Sequence, residues 1–316
     1  MLVSPGAGRT LGRERGKGGL LGEVTHIHGA AAIRSNAAAR RGSRKYAAAY
    51  ELFLDHPRRR PERTLLCWWT RPLHQARDRC AAGDRLVHNH MKLTYYGHAC
   101  FAVEAGGKTL LFDPFITPNP LAEKIDAGKI PADFILVSHG HGDHVADVVA
   151  IATRTGATVI APYEVGCWFE AKGVKRVQSM NHGGGAEMPF GRVKLSAAVH
   201  SSSLPDGSYG GNPCGFVVES PDGSFYYSGD TALTSDMRFI GEQTKLRFAV
   251  LPVGDFFTMG IDDALRAADL VGVTRIVGVH YDTFPPIKLD HAAALKAAEA
   301  DGKELLLPKI GETIEI

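Results

Sequence analysis

The chain has 316 residues, is 44% hydrophobic and carries a formal net charge of +2, values typical of a globular protein with room for one large domain or two ordinary ones. No apolar run approaches the roughly 20 residues that a bilayer-spanning helix needs, and the N-terminus lacks the apolar core of a signal peptide, which argues against membrane insertion. The five cysteines are widely spaced with no CxxC pair, which argues against a disulfide framework and points to a reduced, cytoplasmic protein.

Charge divides the chain. Residues 1–90 hold 17 Lys+Arg against 7 Asp+Glu, a net +10, which leaves 19 against 27 and a net −8 for residues 91–316. The basic segment is rich in Gly, Ala and Arg and poor in apolar periodicity, so it offers little burial to offset the entropy of ordering and is expected to be disordered. One short helix is predicted over Lys45–Leu54, ended by the run from His56 to Pro61. The simplest origin for residues 1–90 is a misassigned upstream start, with translation beginning at Met91, where strand-like sequence starts abruptly. Nucleic-acid or anionic-membrane contact, or an organelle address, is the alternative use of its arginines.

From Met91 the pattern changes. Leu93–Tyr96, Cys100–Glu104 and Lys108–Asp113 read as strands separated by Gly turns, with a hairpin signal at Ala105-Gly106-Gly107. A helix is predicted near Leu121–Ala127, then the apolar strand Phe134–Ser138 and a helix over Val145–Thr155. The junction between the last two reads Ser138-His139-Gly140-His141-Gly142-Asp143-His144. Glycines between the ligand types permit a tight backbone, so His139 and His141 can face one way and Asp143 and His144 the other. Imidazole nitrogen and carboxylate oxygen suit zinc, and are also compatible with manganese or iron.

Further on, single candidates close β segments. Val193–Val199 ends at His200, Ser224–Tyr227 ends at Asp230, and Arg275–Val279 ends at His280. His182 and His291 join no such pattern and are read as structural or surface residues. Asn181–Gly185 is expected to be a turn between strands, and Cys214, before the strand Phe216–Glu219, an inert buried thiol.

At these residues the sequence resembles the metallo-β-lactamase superfamily, whose HxHxDH motif is met by His139, His141, Asp143 and His144. Tyr96-Gly97-His98-Ala99-Cys100, Asp113-Pro114-Phe115 and Tyr227-Ser228-Gly229-Asp230-Thr231 are similar to its metal-dependent hydrolase branch near the ascorbate-6-phosphate lactonases. The resemblance implies an α+β, four-layer αββα sandwich over residues 91–316, with two divalent metal ions at one edge. By it, His139, His141 and His200 hold one ion, Asp143, His144 and His280 the other, and Asp230 bridges them. Asp113 orients a ligand imidazole. Asp143, Asp230 and His98 are the catalytic candidates, His98 either contacting substrate or supporting the metal shell.

The expected activity is hydrolysis of a lactone, ester, thioester or phosphoester of a small molecule by metal-activated hydroxide. No GxSxG elbow supplies a serine nucleophile. A di-iron redox protein, for which the family pattern replaces the second motif His with Glu, is disfavoured by His141. A nucleic-acid phosphodiesterase of the same superfamily is the main alternative, set back by the net acidic domain. A homo-oligomer is compatible with everything in the sequence.

Overall fold

A computed structural model describes residues 91–316; the basic segment and its predicted helix lie outside them. Among the described residues fourteen strands form two seven-stranded sheets. The first sheet runs β14 (Thr313–Glu315), β1 (Lys92–Gly97), β2 (Cys100–Ala105), β3 (Lys108–Phe112), β4 (Phe134–Leu136), β5 (Thr158–Pro162) and β6 (Val177–Met180). The second runs β13 (Glu304–Leu306), β12 (Arg275–Val279), β11 (Phe248–Pro252), β10 (Gly223–Tyr227), β9 (Cys214–Ser220), β8 (Gly191–Ala197) and β7 (Gly185–Met188). Helices cover each sheet, giving four layers. α2 (Val148–Thr155) and α3 (Tyr163–Ala171) lie on β5 and β6, while α5 (Ile261–Val271) and α6 (His291–Ala300) lie on β11 and β13. Among the described residues no helix is long and apolar enough to cross a membrane.

The period-2 alternation of strand side chains sets the layering. In β2, Phe101 and Val103 face the core shared with the second sheet, whereas Cys100 and Ala102 face the helices. β3 and β4 repeat this, with Leu110, Phe112, Phe134 and Leu136 inward and Leu111 and Ile135 outward. A sheet covered on both faces must be apolar on both, which explains its near-continuous hydrophobic runs. The sheets are joined by aromatic rings. Phe112 lies 6.1 Å from Phe216 and 5.9 Å from Phe225, and Phe101 is 5.0 Å from Tyr227. Each fully buried ring contributes about 1.5–3 kcal/mol by burial.

The pairing also explains why ligands collect at one edge. β3 and β4 are parallel, with Phe112 beside Leu136, and β10, β11 and β12 are parallel, with Tyr227 beside Val250 and Pro252 beside Val279. Their carboxyl ends, and the residues that follow, therefore emerge together.

Two predicted helices differ from those observed. Leu121–Ala127 is a chain of turns followed by a 3-10 helix at Ala127–Lys129, because the Asn119 and Asp126 side chains accept from the Leu121 and Gly128 N–H groups. Such local bonds compete with helix formation. The helix predicted over Val145–Thr155 is divided into α1 (Gly142–Val145) and α2. The carboxylate of Asp147, at the break, accepts from Ile116 N (2.7 Å), Thr117 N (2.9 Å) and Thr117 Oγ1 (2.6 Å), bracing the loop after β3. The strands β5, β6, β7, β11, β13 and β14 and the helices α3 (Tyr163–Ala171), α4 (Met237–Gln243), α5 and α6 add to those read from the sequence.

Candidate metal centre

Each candidate ligand follows a strand. Ser138, His139 and His141 leave β4, His200 leaves β8, Asp230 leaves β10 and His280 leaves β12. His200 is placed by two bonds to the residue before it, since Val199 N donates to Thr231 Oγ1 (2.9 Å) and Ala232 N donates to Val199 O (3.1 Å). Gly229, at φ +61, allows the Asp230 turn to press against its neighbours: a Cβ there would lie 2.5 Å from Cys214 O and 2.9 Å from Ser138 Cβ.

Three overlapping groups result, each with donor atoms within 4.8 Å of one another: His139, His141 and His200; His139, His144 and Asp230; and His98, Asp143, His144 and His280. All seven ligands anticipated from the sequence thus converge, together with His98. Asp230 is central to them, with Oδ2 at 3.2 Å from His144 Nε2, 3.0 Å from His280 Nε2 and 3.7 Å from His200 Nε2.

The surrounding hydrogen bonds fix which nitrogens are free. Asp113 is fully buried and accepts from Ser138 N (2.7 Å), Ser138 Oγ (2.6 Å), Tyr227 OH (2.6 Å) and His144 Nδ1 (2.9 Å). Ser138 has one hydroxyl proton, given to Asp113, so its oxygen accepts from His139 Nδ1 at 2.9 Å. Both Nδ1 atoms therefore carry protons, which leaves Nε2 as the nitrogen of His139 and of His144 that can face a cation. His139 Nε2 faces His141 Nδ1 at 2.9 Å, and His144 Nε2 is buried with no hydrogen-bond partner, beside the Asp230 carboxylate. His280 Nδ1 is likewise buried and unpartnered. Imidazole nitrogens crowded on one another and on a buried carboxylate, two of them without a hydrogen-bond partner, fit metal ions.

The electrostatics agree. Burial, and then His144, hold the His139 imidazole well below its usual range, and burial also lowers His141 and His200. For His144 burial opposes charge, but Asp230 and Asp113 outweigh it and raise the imidazole well above its usual range. For Asp230 burial favours the neutral acid, yet His280 and His144 hold the carboxyl well below the ordinary carboxylate range. The carboxylates that attract a proton to His144 would attract a metal cation in its place.

His98 is buried and packs its ring 4.1 Å from that of His280. Its Nδ1 meets Thr283 Oγ1 at 3.0 Å and its Nε2 meets Asp143 Oδ2 at 3.1 Å. Burial, with His280, brings its pKa down to about 4. It touches a candidate ligand and does not line the adjacent cavity of about 410 Å3, which is bounded by His141, Asp143, His200, Asp230 and His280 on one side. His182 Nε2 donates to the Pro213 carbonyl at 2.7 Å and His291 pairs with Asp282 at 2.7 Å, both outside the ligand groups. Cys214 is buried, which pushes its thiol well above its usual range. Ser138, Tyr227 and Thr283 were not singled out from the sequence; the side of β10 on which Tyr227 lies, beside the Asp230 turn, was the available signal for one of them.

A two-sheet sandwich with this ligand cluster at the strand ends defines a class. Residues 108–281 match the family model described as the beta-lactamase superfamily domain, and the chain belongs to that superfamily. A relative from Flavobacterium johnsoniae is 48% identical over 226 residues, 72% of this chain and 100% of its own length, and one from Methylacidiphilum infernorum is 47% identical over 224 residues, 71% of this chain and 99% of its own. Both are named UPF0173 metal-dependent hydrolases, and the chain belongs to this family of metal-dependent hydrolases. Among solved structures, Igni18, a metallo hydrolase from the archaeon Ignicoccus hospitalis, matches with a TM-score of 0.65 and 33% identity over 72% of this chain and 98% of its own. An isothiocyanate hydrolase from Delia radicum gut bacteria shares the fold, with a TM-score of 0.59 at 22% identity over 71% of this chain and 98% of its own.

Proposed function

We propose that the chain hydrolyses a small-molecule lactone, ester, thioester or phosphoester at a binuclear zinc centre. The observation that carries this reading is the convergence of seven His and Asp side chains, with Nδ1 of His139 and His144 engaged by Ser138 and Asp113 and His144 Nε2 beside the Asp230 carboxylate. His139, His141 and His200 would hold one ion and Asp143, His144 and His280 the other, with the Asp230 carboxylate available to both. Divalent ions of this kind lower the pKa of bound water from about 15.7 towards roughly 7, which supplies a nucleophile at neutral pH.

The remaining work falls to the chain. Asp113 and Ser138 hold the imidazoles of His144 and His139 in orientation, and His98, itself bonded to Thr283, holds the Asp143 carboxylate. Asp143 is the candidate for moving protons, since its side chain is 28% exposed beside the cavity, whereas Asp230 is almost wholly buried. The described cysteines Cys100, Cys167 and Cys214 are unpaired, which fits a reducing cytoplasmic setting.

The test is metal analysis of the purified chain, followed by a screen across the four substrate classes with wild type, His139→Ala and His200→Ala. Close to two zinc equivalents are expected, with most activity lost in both variants while the fold persists. Full activity in both variants, or one equivalent of metal in an active wild type, would overturn the binuclear assignment.

A further inference from the structure

The cavity beside the ligands is polar on one side only. Its other wall is Phe257, Phe284 and Pro286, and among the described residues no Lys or Arg lines it. Phe257 is 51% exposed and Phe284 is half-buried, so both present ring surface. Exposed aromatic faces are costly in water and are commonly met by an apolar partner.

The wall is built to keep its position. Phe284 sits edge-on to His98 at 5.5 Å and 6.5 Å from Phe115, and leads into Pro285-Pro286, where two rings fix the backbone. Phe257 stands on a tight loop in which Asp255 and Phe256 adopt left-handed φ values of +60 and +61. That loop is closed by Asp255 N donating to Met259 O (3.1 Å) and tied to the ligand turn by Met259 N donating to Thr231 O (3.0 Å). Phe256 braces Phe257 edge to face at 4.7 Å. Non-glycine residues held at positive φ signal a constrained loop, and here the constraint places Phe257 beside Asp230.

An anionic substrate needs counter-charge for whatever negative groups the metals do not bind. The described residues lining the cavity offer none, and residues 91–316 are net acidic. An alkyl chain or ring joined to an uncharged carbonyl meets no such obstacle. From this geometry we infer that the site selects neutral acyl substrates, esters, thioesters or lactones with an apolar chain or ring, and that Phe257, Phe284 and Pro286 form the specificity wall. This rests on the hydrolytic reading above and narrows its four classes by removing phosphoesters.

The experiment compares zinc-loaded full-length wild type, Phe257→Ala and Phe284→Ala on p-nitrophenyl acetate, butyrate and hexanoate, and on p-nitrophenyl phosphate and bis(p-nitrophenyl) phosphate. A fully buried methylene is worth about fourfold in kcat/KM, and a half-open wall gives about twofold. Hexanoate should therefore exceed acetate by about tenfold or more, both phosphates should be slower than any ester, and each variant should lower the hexanoate-to-acetate ratio by about threefold or more. Calorimetric binding of acetate and hexanoate to the same proteins supplies a readout independent of turnover. A flat acyl series or a preference for phosphate overturns the inference and leaves the hydrolytic reading in place. A rising series that neither variant alters overturns the assignment to these two rings. If nothing is hydrolysed but hexanoate binds more tightly than acetate and both variants weaken it, the apolar wall stands and the hydrolytic reading falls; equal binding of the two acids would sink both.

Discussion

Replacing Asp113 by Asn tests the positioning role of a residue that is not itself a proposed ligand. One oxygen of Asp113 accepts from Ser138 Oγ, Tyr227 OH and His144 Nδ1, and the other accepts from Ser138 N. In the less disruptive rotamer the amide oxygen of Asn keeps the first three, and its NH2 group confronts the Ser138 N–H, donor against donor. Two buried donors then lack partners, at about 1–3 kcal/mol each, so a stability loss of about 2–6 kcal/mol is expected. His144 also loses a charged acceptor that favours its Nδ1 proton, and metal affinity should fall about 10- to 100-fold. Urea unfolding of the metal-free protein measures the first effect, and competition with a zinc chelator measures the second in the folded fraction. Tyr227→Phe is the control, since it removes one donor and leaves the carboxylate with the others, for a cost of about 1.5–3 kcal/mol. Wild-type metal affinity in folded Asp113→Asn would refute the argument that this carboxylate orients His144, whatever happened to stability.

Other outcomes follow from the same geometry. Asp230→Asn should lower metal stoichiometry and turnover together, because a neutral amide cannot offset two cations; wild-type values for both would remove Asp230 as the bridge. Burial lowers His139, His141 and His200, so protons displace metal from these nitrogens only at pH below the ordinary imidazole value of about 6.5. Dialysis from pH 7 downward should therefore retain metal at pH 6.5, and complete release there would contradict the buried, neutral assignment. A chain starting at Met91 should fold and bind metal as the full chain does, since Met91 is fully buried and its carbonyl accepts from Ile316 N at 2.9 Å. Insoluble or metal-free protein would place part of residues 1–90 within the domain.

The sequence revealed what short-range patterns encode. Alternation in Leu93–Tyr96 and Cys100–Glu104, and the apolar run Phe134–Ser138, mark β1, β2 and β4 because their side chains face two different cores. His139 to His144 announce ligands because so few residues separate them. What escaped was decided at long range. β14 pairs with β1 across almost the whole described segment, and its three residues carry no pattern of their own. The helix expected at Leu121–Ala127 gave way to Asn119 and Asp126 side-chain bonds. Phe257 and Phe284 come from separate loops, and only the folded chain shows that they share a wall.

Backbone conformation adds a last argument for the ligand cluster. Asp113, His98 and His280 adopt φ values of +40, +55 and +59, where a side-chain-bearing residue costs about 1–2 kcal/mol. Glycine would relieve that strain, and the chain uses glycine freely at such angles elsewhere, as at Gly229 and Gly272. The strained residues are held by bonds to the strand ends, Asp113 N donating to Leu136 O (3.1 Å) and His280 N to His98 O (2.8 Å). The second of these joins two strained residues back to back, so that the turn after β1 and the turn after β12 fix each other. Their rings meet at 4.1 Å as a result, with His98 Nε2 delivered to Asp143 and His280 Nε2 to Asp230. Aspartate and histidine stand where backbone comfort alone would select glycine, and their side chains all reach into one cluster of candidate ligands. The strain is therefore offset by what those side chains bind, and metal should stabilise the fold at the turns that carry it.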